Sequence, residues 1–167
     1  MKISIKDSNP AIQPGFRNAS KSHDLFYEEC GNGVPLLLVA GLASDSLSWE
    51  TVIPLLERDF RLIMPDNRGV GRTGLCDGMQ VSINGMAQDC AALLESLGIE
   101  HCHVLGHSMG GFIALELARL HPQRVDSLIL AATSYRGSRR NNRLFREIAE
   151  DRLAGLSDER WLRRFFY

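Results

Sequence analysis

The chain has 167 residues, 44% hydrophobic and 23% charged, with a formal net charge of -1. That size suits one ordinary domain with a real core, and that composition is expected of a soluble globular protein rather than a disordered or membrane one. No apolar run approaches the roughly 18 residues that cross a bilayer, and Lys2 and Lys6 are not followed by the apolar stretch of a secretory signal, so no membrane role is expected and the cytoplasm is the expected location.

In chain order, MKISIKD alternates like a strand, SNPAIQPGF is rich in turn residues, and HDLFYEE reads as a second strand before the turn CGNG. VPLLLVAG is a continuous apolar run, the pattern of a strand buried on both faces. WETVIPLLERD is predicted helical, with its regular part starting only a few residues before Pro54. FRLIMPD follows as a strand.

Between Ser82 and Gly98 the helical signal is clearest. Met86, Cys90, Leu93, Leu94 and Leu97 recur at helical spacing, Ser82 stands at an N-cap position and Gly98 beyond the end. HCHVLG is predicted as a strand, GGFIALELARLH as a helix stopped by Pro122, and RVDSLILAAT as a strand. Arg-rich segments, RRNNRLFREIAEDRLAG and SDERWLRRFFY, complete the pattern as helices. Strands alternating with helices imply an α/β fold with a mostly parallel sheet.

Charge divides the chain. Residues 1–135 carry 10 Lys and Arg against 15 acids, whereas residues 136–167 carry 9 Arg against 5 acids. The arginines of the second part are interleaved with Glu147, Glu150 and Asp151 at helical spacing, which describes a solvated helix face rather than a nucleic-acid surface. Cys30, Cys76, Cys90 and Cys102 are scattered without zinc or redox spacing and are expected reduced.

The stretch VLGHSMGGF contains the only arrangement that suggests covalent chemistry: Ser108 lies between Gly106 and Gly110, after a predicted strand and before a predicted helix. A serine so placed needs a tight strand-to-helix turn, and the helix N-terminus would face negative charge developing nearby. The competing reading is a serine in an ordinary tight turn. A second glycine pattern, GVGRTG, spells G-x-G-x-x-G, but LCDGMQVS separates it from the next helix, and a dinucleotide site needs the helix to open on the glycines.

Together GHSMGG, the loop AGLASDSLSW and DNRGVGRT resemble the α/β-hydrolase family, over roughly Leu25 to Thr133. The resemblance implies that Ser108 is a nucleophile and that the backbone N–H groups of Leu42 and Met109 form an oxyanion hole. This chain has Ala40-Gly41 where the family commonly has His-Gly. The implied activity is hydrolysis of a small ester, lactone or related carbonyl substrate. A non-catalytic relic or binding module and an acyltransferase are the alternatives.

In that family a triad acid and histidine follow the serine, and neither is expected within this chain. His107 belongs to the elbow itself, His121 is some 20 Å away along the helix at 1.5 Å per residue, and His101 and His103 lie at the start of their strand. The last two could be taken for a metal pair but lack an evident third ligand, and neither a metal nor any other cofactor is expected.

The resemblance also implies that residues 1–135 are the N-terminal part of the core and residues 136–167 the start of a helical lid. On that reading the chain is part of a longer hydrolase and is expected to be inactive or impaired by itself, and RVDSLILAAT is an apolar sheet edge open to self-association.

Overall fold

The computed structural model describes residues 25–74 and 80–134, together with Arg143 and Glu147. The expected strand MKISIKD, most of the segment beyond residue 134, and Cys76 lie outside the described residues. The chain divides into two compact units, Met1–Ser134 and Tyr135–Tyr167. In the second, Arg143 and Glu147 are helical and form an ion pair one helical turn apart.

The elements of the first unit run β1 (Tyr27–Cys30), β2 (Val34–Val39), α1 (Ile53–Leu56), β3 (Phe60–Pro65), α2 (Ile83–Ser96), β4 (Cys102–His107), α3 (Met109–Leu120) and β5 (Val125–Ala131). The sheet order is β1-β3-β2-β4-β5. β1 pairs antiparallel with β3, and all other pairs are parallel.

The apolar run of β2 is central because both of its faces are covered. Successive side chains of a strand point to opposite faces. Leu37 and Val39 join Ile63, Val104 and the buried sides of α2 and α3, including Met86, Cys90, Leu93, Leu94, Ile113 and Leu117. Leu36, Leu38 and Ala40 turn the other way, onto Trp49, Leu62 and Met64. Each fully buried leucine or isoleucine contributes about 1.5–3 kcal/mol.

α2 has the predicted ends: the Ser82 side chain accepts from the Gly85 N–H, and Gly98 takes a left-handed φ of 67°. WETVIPLLERD requires a correction. Its regular α-helix is the single turn Ile53–Leu56, preceded by a 3-10 turn at Ser46–Trp49. Pro54 has no N–H to continue the ladder, and Thr51, Val52 and Ile53 are β-branched residues that resist helix extension. Cys30, Cys90 and Cys102 are free and buried, and burial pushes the Cys30 thiol up to about 11, so it stays protonated.

The chain leaves β2 in one direction across the sheet to β3 and returns to the other side of β2 as β4. Such a reversal opens a crevice beyond the carboxyl ends of the two strands, where sites form in open α/β sheets. The helix after β4 approaches the sheet very closely. A Cβ on Gly110 would lie 2.0 Å from the Val39 carbonyl oxygen, and one on Gly106 would lie 2.4 Å from the Gly110 oxygen. Because the opposing atoms are backbone, neither clash can be relieved by a rotamer change. Gly110→Ala is therefore expected to lower stability by about 3 kcal/mol, measured by urea unfolding; a loss below 0.5 kcal/mol, on the order of an ordinary surface change, would rule out this packing.

Candidate active site

Ser108 occupies the junction of β4 and α3 with φ 53° and ψ -117°. This is left-handed territory that a residue with a Cβ enters only under constraint. Its N–H donates to the Ala131 oxygen at 2.9 Å, tying the turn to the end of β5, and its own carbonyl accepts from the Gly111 N–H at 3.0 Å. Thr133 presses on the first turn of α3 from the other side: a Cβ on Gly111 would meet Thr133 Cγ2 at 2.3 Å. Among the described residues the buried Thr133 hydroxyl has no hydrogen-bond partner.

The loop after β2 runs alongside. A Cβ on Gly41 would lie 3.3 Å from Ser108 Cβ. Gly41 to Ser44 form a turn closed by the Ser44 N–H on the Gly41 oxygen, with Ala43 at φ 56°. Among the described residues, the non-glycine residues with positive φ are Ala43, Ser108 and Ala132. They follow β2, β4 and β5, three adjacent strands, at their carboxyl ends. Strained backbone of this kind clusters at functional sites. The Leu42 N–H belongs to this turn, and Met109 is the first residue of α3, where N–H groups lack intrahelical partners.

The segment DNRGVGRT forms a loop between β3 and α2, and α2 opens only at Ile83, so the glycines do not start a helix. Its work is to brace the site. Asp66 is fully buried. One carboxylate oxygen accepts from the Ser46 N–H at 2.9 Å, and the other from the Arg72 N–H at 2.9 Å and Arg72 Nε at 3.1 Å. Arg72 also reaches Glu28 Oε1 at 2.8 Å and stacks its guanidinium 3.6 Å from the Phe26 ring centroid. A Cβ on Gly71 would fall 2.4 Å from Asp66 Oδ2, so glycine is needed for this cage to close.

Arg68 makes a bidentate pair with Asp89 of α2, both bonds 2.7 Å, and donates to the Gly85 and Gln80 carbonyls. Sequence reading missed Asp89 as a partner. Its signal was position: it lies three residues after Met86, on the buried side of α2.

The histidines fall as follows. His101 Nδ1 lies 2.7 Å from Asp126 Oδ2, and His103 Nδ1 lies 2.8 Å from Ser127 Oγ. Both pairs sit at the amino ends of β4 and β5. His121, beyond the far end of α3, meets the Gln88 side chain at 3.1 Å. His107 is exposed at the end of β4 and sets its ring edgewise to Trp49, centroids 6.5 Å apart. Among the described residues there is no cluster of three or more His, Cys, Asp or Glu side chains able to hold a metal, and no helix long and apolar enough to cross a membrane.

A family model described as the alpha/beta hydrolase fold matches residues 34–167. The chain is 42% identical over 107 residues to RutD of Azorhizobium caulinodans, provisionally named a carbamate hydrolase, covering 64% of this chain and 40% of that one. It is 36% identical over 107 residues to a pimeloyl-[acyl-carrier protein] methyl ester esterase of Aeromonas hydrophila, covering 64% of this chain and 41% of that one. Among solved structures, a thermophilic esterase from Thermogutta terrifontis superposes with TM-score 0.71 at 33% identity, covering 83% of this chain and 52% of that one. The chain thus spans about 40% of the length of these curated relatives.

The Asp66 cage carries a pH dependence. Burial works against its ionisation, but hydrogen bonds from the Arg72 side chain and backbone and from the Ser46 N–H outweigh it and hold the carboxyl below its ordinary value. A lowered folded pKa contributes stability that is fully present above the unfolded value of about 3.9 and lost as pH falls through the folded one. Urea unfolding of wild type and Asp66→Asn between pH 7 and 3 checks this. The variant is expected to be less stable by about 2 kcal/mol at pH 7, with the gap narrowing below about pH 4; a gap constant with pH would contradict the assignment.

Proposed function

Since the chain belongs to the alpha/beta hydrolase fold family, we propose that Ser108 is the nucleophile of an acyl-transfer hydrolase acting on a small ester, lactone or related carbonyl substrate. The observation that carries this reading is the left-handed Ser108 at the sheet's switch point, in contact range of the Gly41–Ser44 turn. A strained elbow there presents a side chain to the crevice and sets two backbone segments beside it.

In the reaction, Ser108 Oγ bonds to the carbonyl carbon as its proton passes to a base, and the carbonyl electron pair moves onto oxygen. The Leu42 and Met109 N–H groups are the donors for that oxyanion, with the α3 N-terminus adding its dipole. Collapse expels the alcohol and leaves an acyl-serine, which water then cleaves. Carbamates and methyl esters, the substrates named for two relatives, share this carbonyl carbon with a heteroatom leaving group. The base and the acid that orients it are assigned to no residue of these 167; residues 136–167 would begin the lid.

A second reading, a scaffold that binds without turnover, is favoured by the partners of His101, His103 and His121, which lie away from the Ser108 junction. An alkyl fluorophosphonate separates the two, because phosphorus replaces the carbonyl carbon and fluoride leaves. The expected outcome is one phosphonyl group on Ser108 by mass spectrometry, absent in Ser108→Ala. Equal labelling of both proteins would overturn the nucleophile assignment, and labelling of neither under conditions that label an intact esterase favours the scaffold, because the base that would activate Ser108 is assigned to no residue of this chain.

A further inference from the structure

The loop proposed to supply an oxyanion donor begins with Ala40 and Gly41, which have no polar side chains, so its orientation must be imposed by other residues. Two consecutive side chains at the end of β3 do this. Asn67 Nδ2 donates to the Ala40 oxygen at 3.2 Å, and Asp66 Oδ1 accepts from the Ser46 N–H at 2.9 Å. Asn67 is 3% exposed and Asp66 is fully buried. Between the two anchors lies the Gly41–Ser44 turn with left-handed Ala43, and Leu42 is 44% exposed there.

From this geometry we infer that Asn67 is a positioning residue for the Leu42 N–H. The inference rests on the reading of Leu42 as an oxyanion donor and adds the group that sets its direction. The Ala40 carbonyl belongs to the peptide plane through which β2 exits into the loop, and a plane held by a buried donor cannot rotate without breaking that bond. The same carbonyl oxygen lies beside α3, 2.7 Å from where a Cβ on Gly110 would sit. One peptide is thereby fixed against both the β3 loop and the helix that follows Ser108. Asp66 holds the other end of the loop but is also caged with Arg72, so its loss would disturb far more than the donor. Asn67 is the anchor whose side-chain amide donates to this loop.

An amide that only stabilised the fold would, when removed, lower stability and loosen its surroundings evenly. A positioning amide acts locally and on the chemical step. The test uses the full chain, labelled with 15N, as wild type and Asn67→Leu, with Asn67→Ala taking its place if the leucine variant does not fold. Backbone order parameters and alkyl fluorophosphonate kinetics are measured on each. The expected result is that Leu42 and Ala43 fall from a rigid value of about 0.85 to below about 0.6, while Phe26 and Thr73, held through the Asp66 segment, are unchanged. The limiting labelling rate falls at least about tenfold, a change of about 1.4 kcal/mol, with half-saturation within about twofold, as for loss of an interaction made in the transition state.

A folded variant with a rigid Leu42–Ala43, or with order lost equally at Phe26 and Thr73, would overturn the inference. If wild type takes no label while the loop loosens in the variant, Asn67 still positions the loop and the reading of this chain as a scaffold without turnover is the one favoured.

Discussion

The first turn of α3 lies almost directly on the backbone of β2, and the rest of the site follows from that contact. Glycine at 106 and 110 is what permits it, because any Cβ there would overlap carbonyl oxygens of the neighbouring backbone. With so little room between strand and helix, the chain must reverse within one residue, and that residue is Ser108, at φ 53° and ψ -117°. Strain of roughly 1–3 kcal/mol at such a residue persists only where its surroundings over-determine it. Here they do: Ala131 accepts its N–H, Thr133 presses on Gly111, and Gly41 passes beside its Cβ.

Packing alone would leave the loop after β2 free to move, and a charged core at the end of β3 restrains it. The buried Asp66 carboxylate gathers the Ser46 N–H and two Arg72 groups, and Arg72 carries the contact on to Glu28 of the edge strand β1. An isolated buried carboxylate would be costly, but each oxygen of Asp66 is hydrogen-bonded. The neighbouring Arg68 secures the segment after β3 to α2 through Asp89. Two strands, one helix and the site loop are thus joined through a segment of eight residues, Asp66 to Thr73.

The sequence revealed most where one physical cause acted alone. β2 was legible because burial on both faces leaves an unbroken apolar run, and α2 because its apolar spacing and both its caps agree. Pro54 and the three β-branched residues before it carried the information that α1 would be one turn, yet the apolar residues around them suggested a longer helix. Ala43 and Ala132 could not be recognised as left-handed, since alanine gives no local signal for a conformation set by neighbouring strands. Asn67 was equally silent: its partner Ala40 is 27 residues away, and only the sheet brings them together. Ser108 stood out because its glycines, strand and helix are contiguous in the chain.

If close helix–strand packing holds Ser108 in a strained backbone, Ser108→Gly and Ser108→Ala must differ in stability. Both variants lack the hydroxyl and differ chiefly in whether a Cβ must occupy left-handed space. The glycine variant is expected to be the more stable by about 1 kcal/mol in urea unfolding, relief of strain exceeding glycine's extra entropy in the unfolded chain. An alanine variant more stable by about 0.5–1 kcal/mol, the ordinary order for an unstrained position, would contradict it.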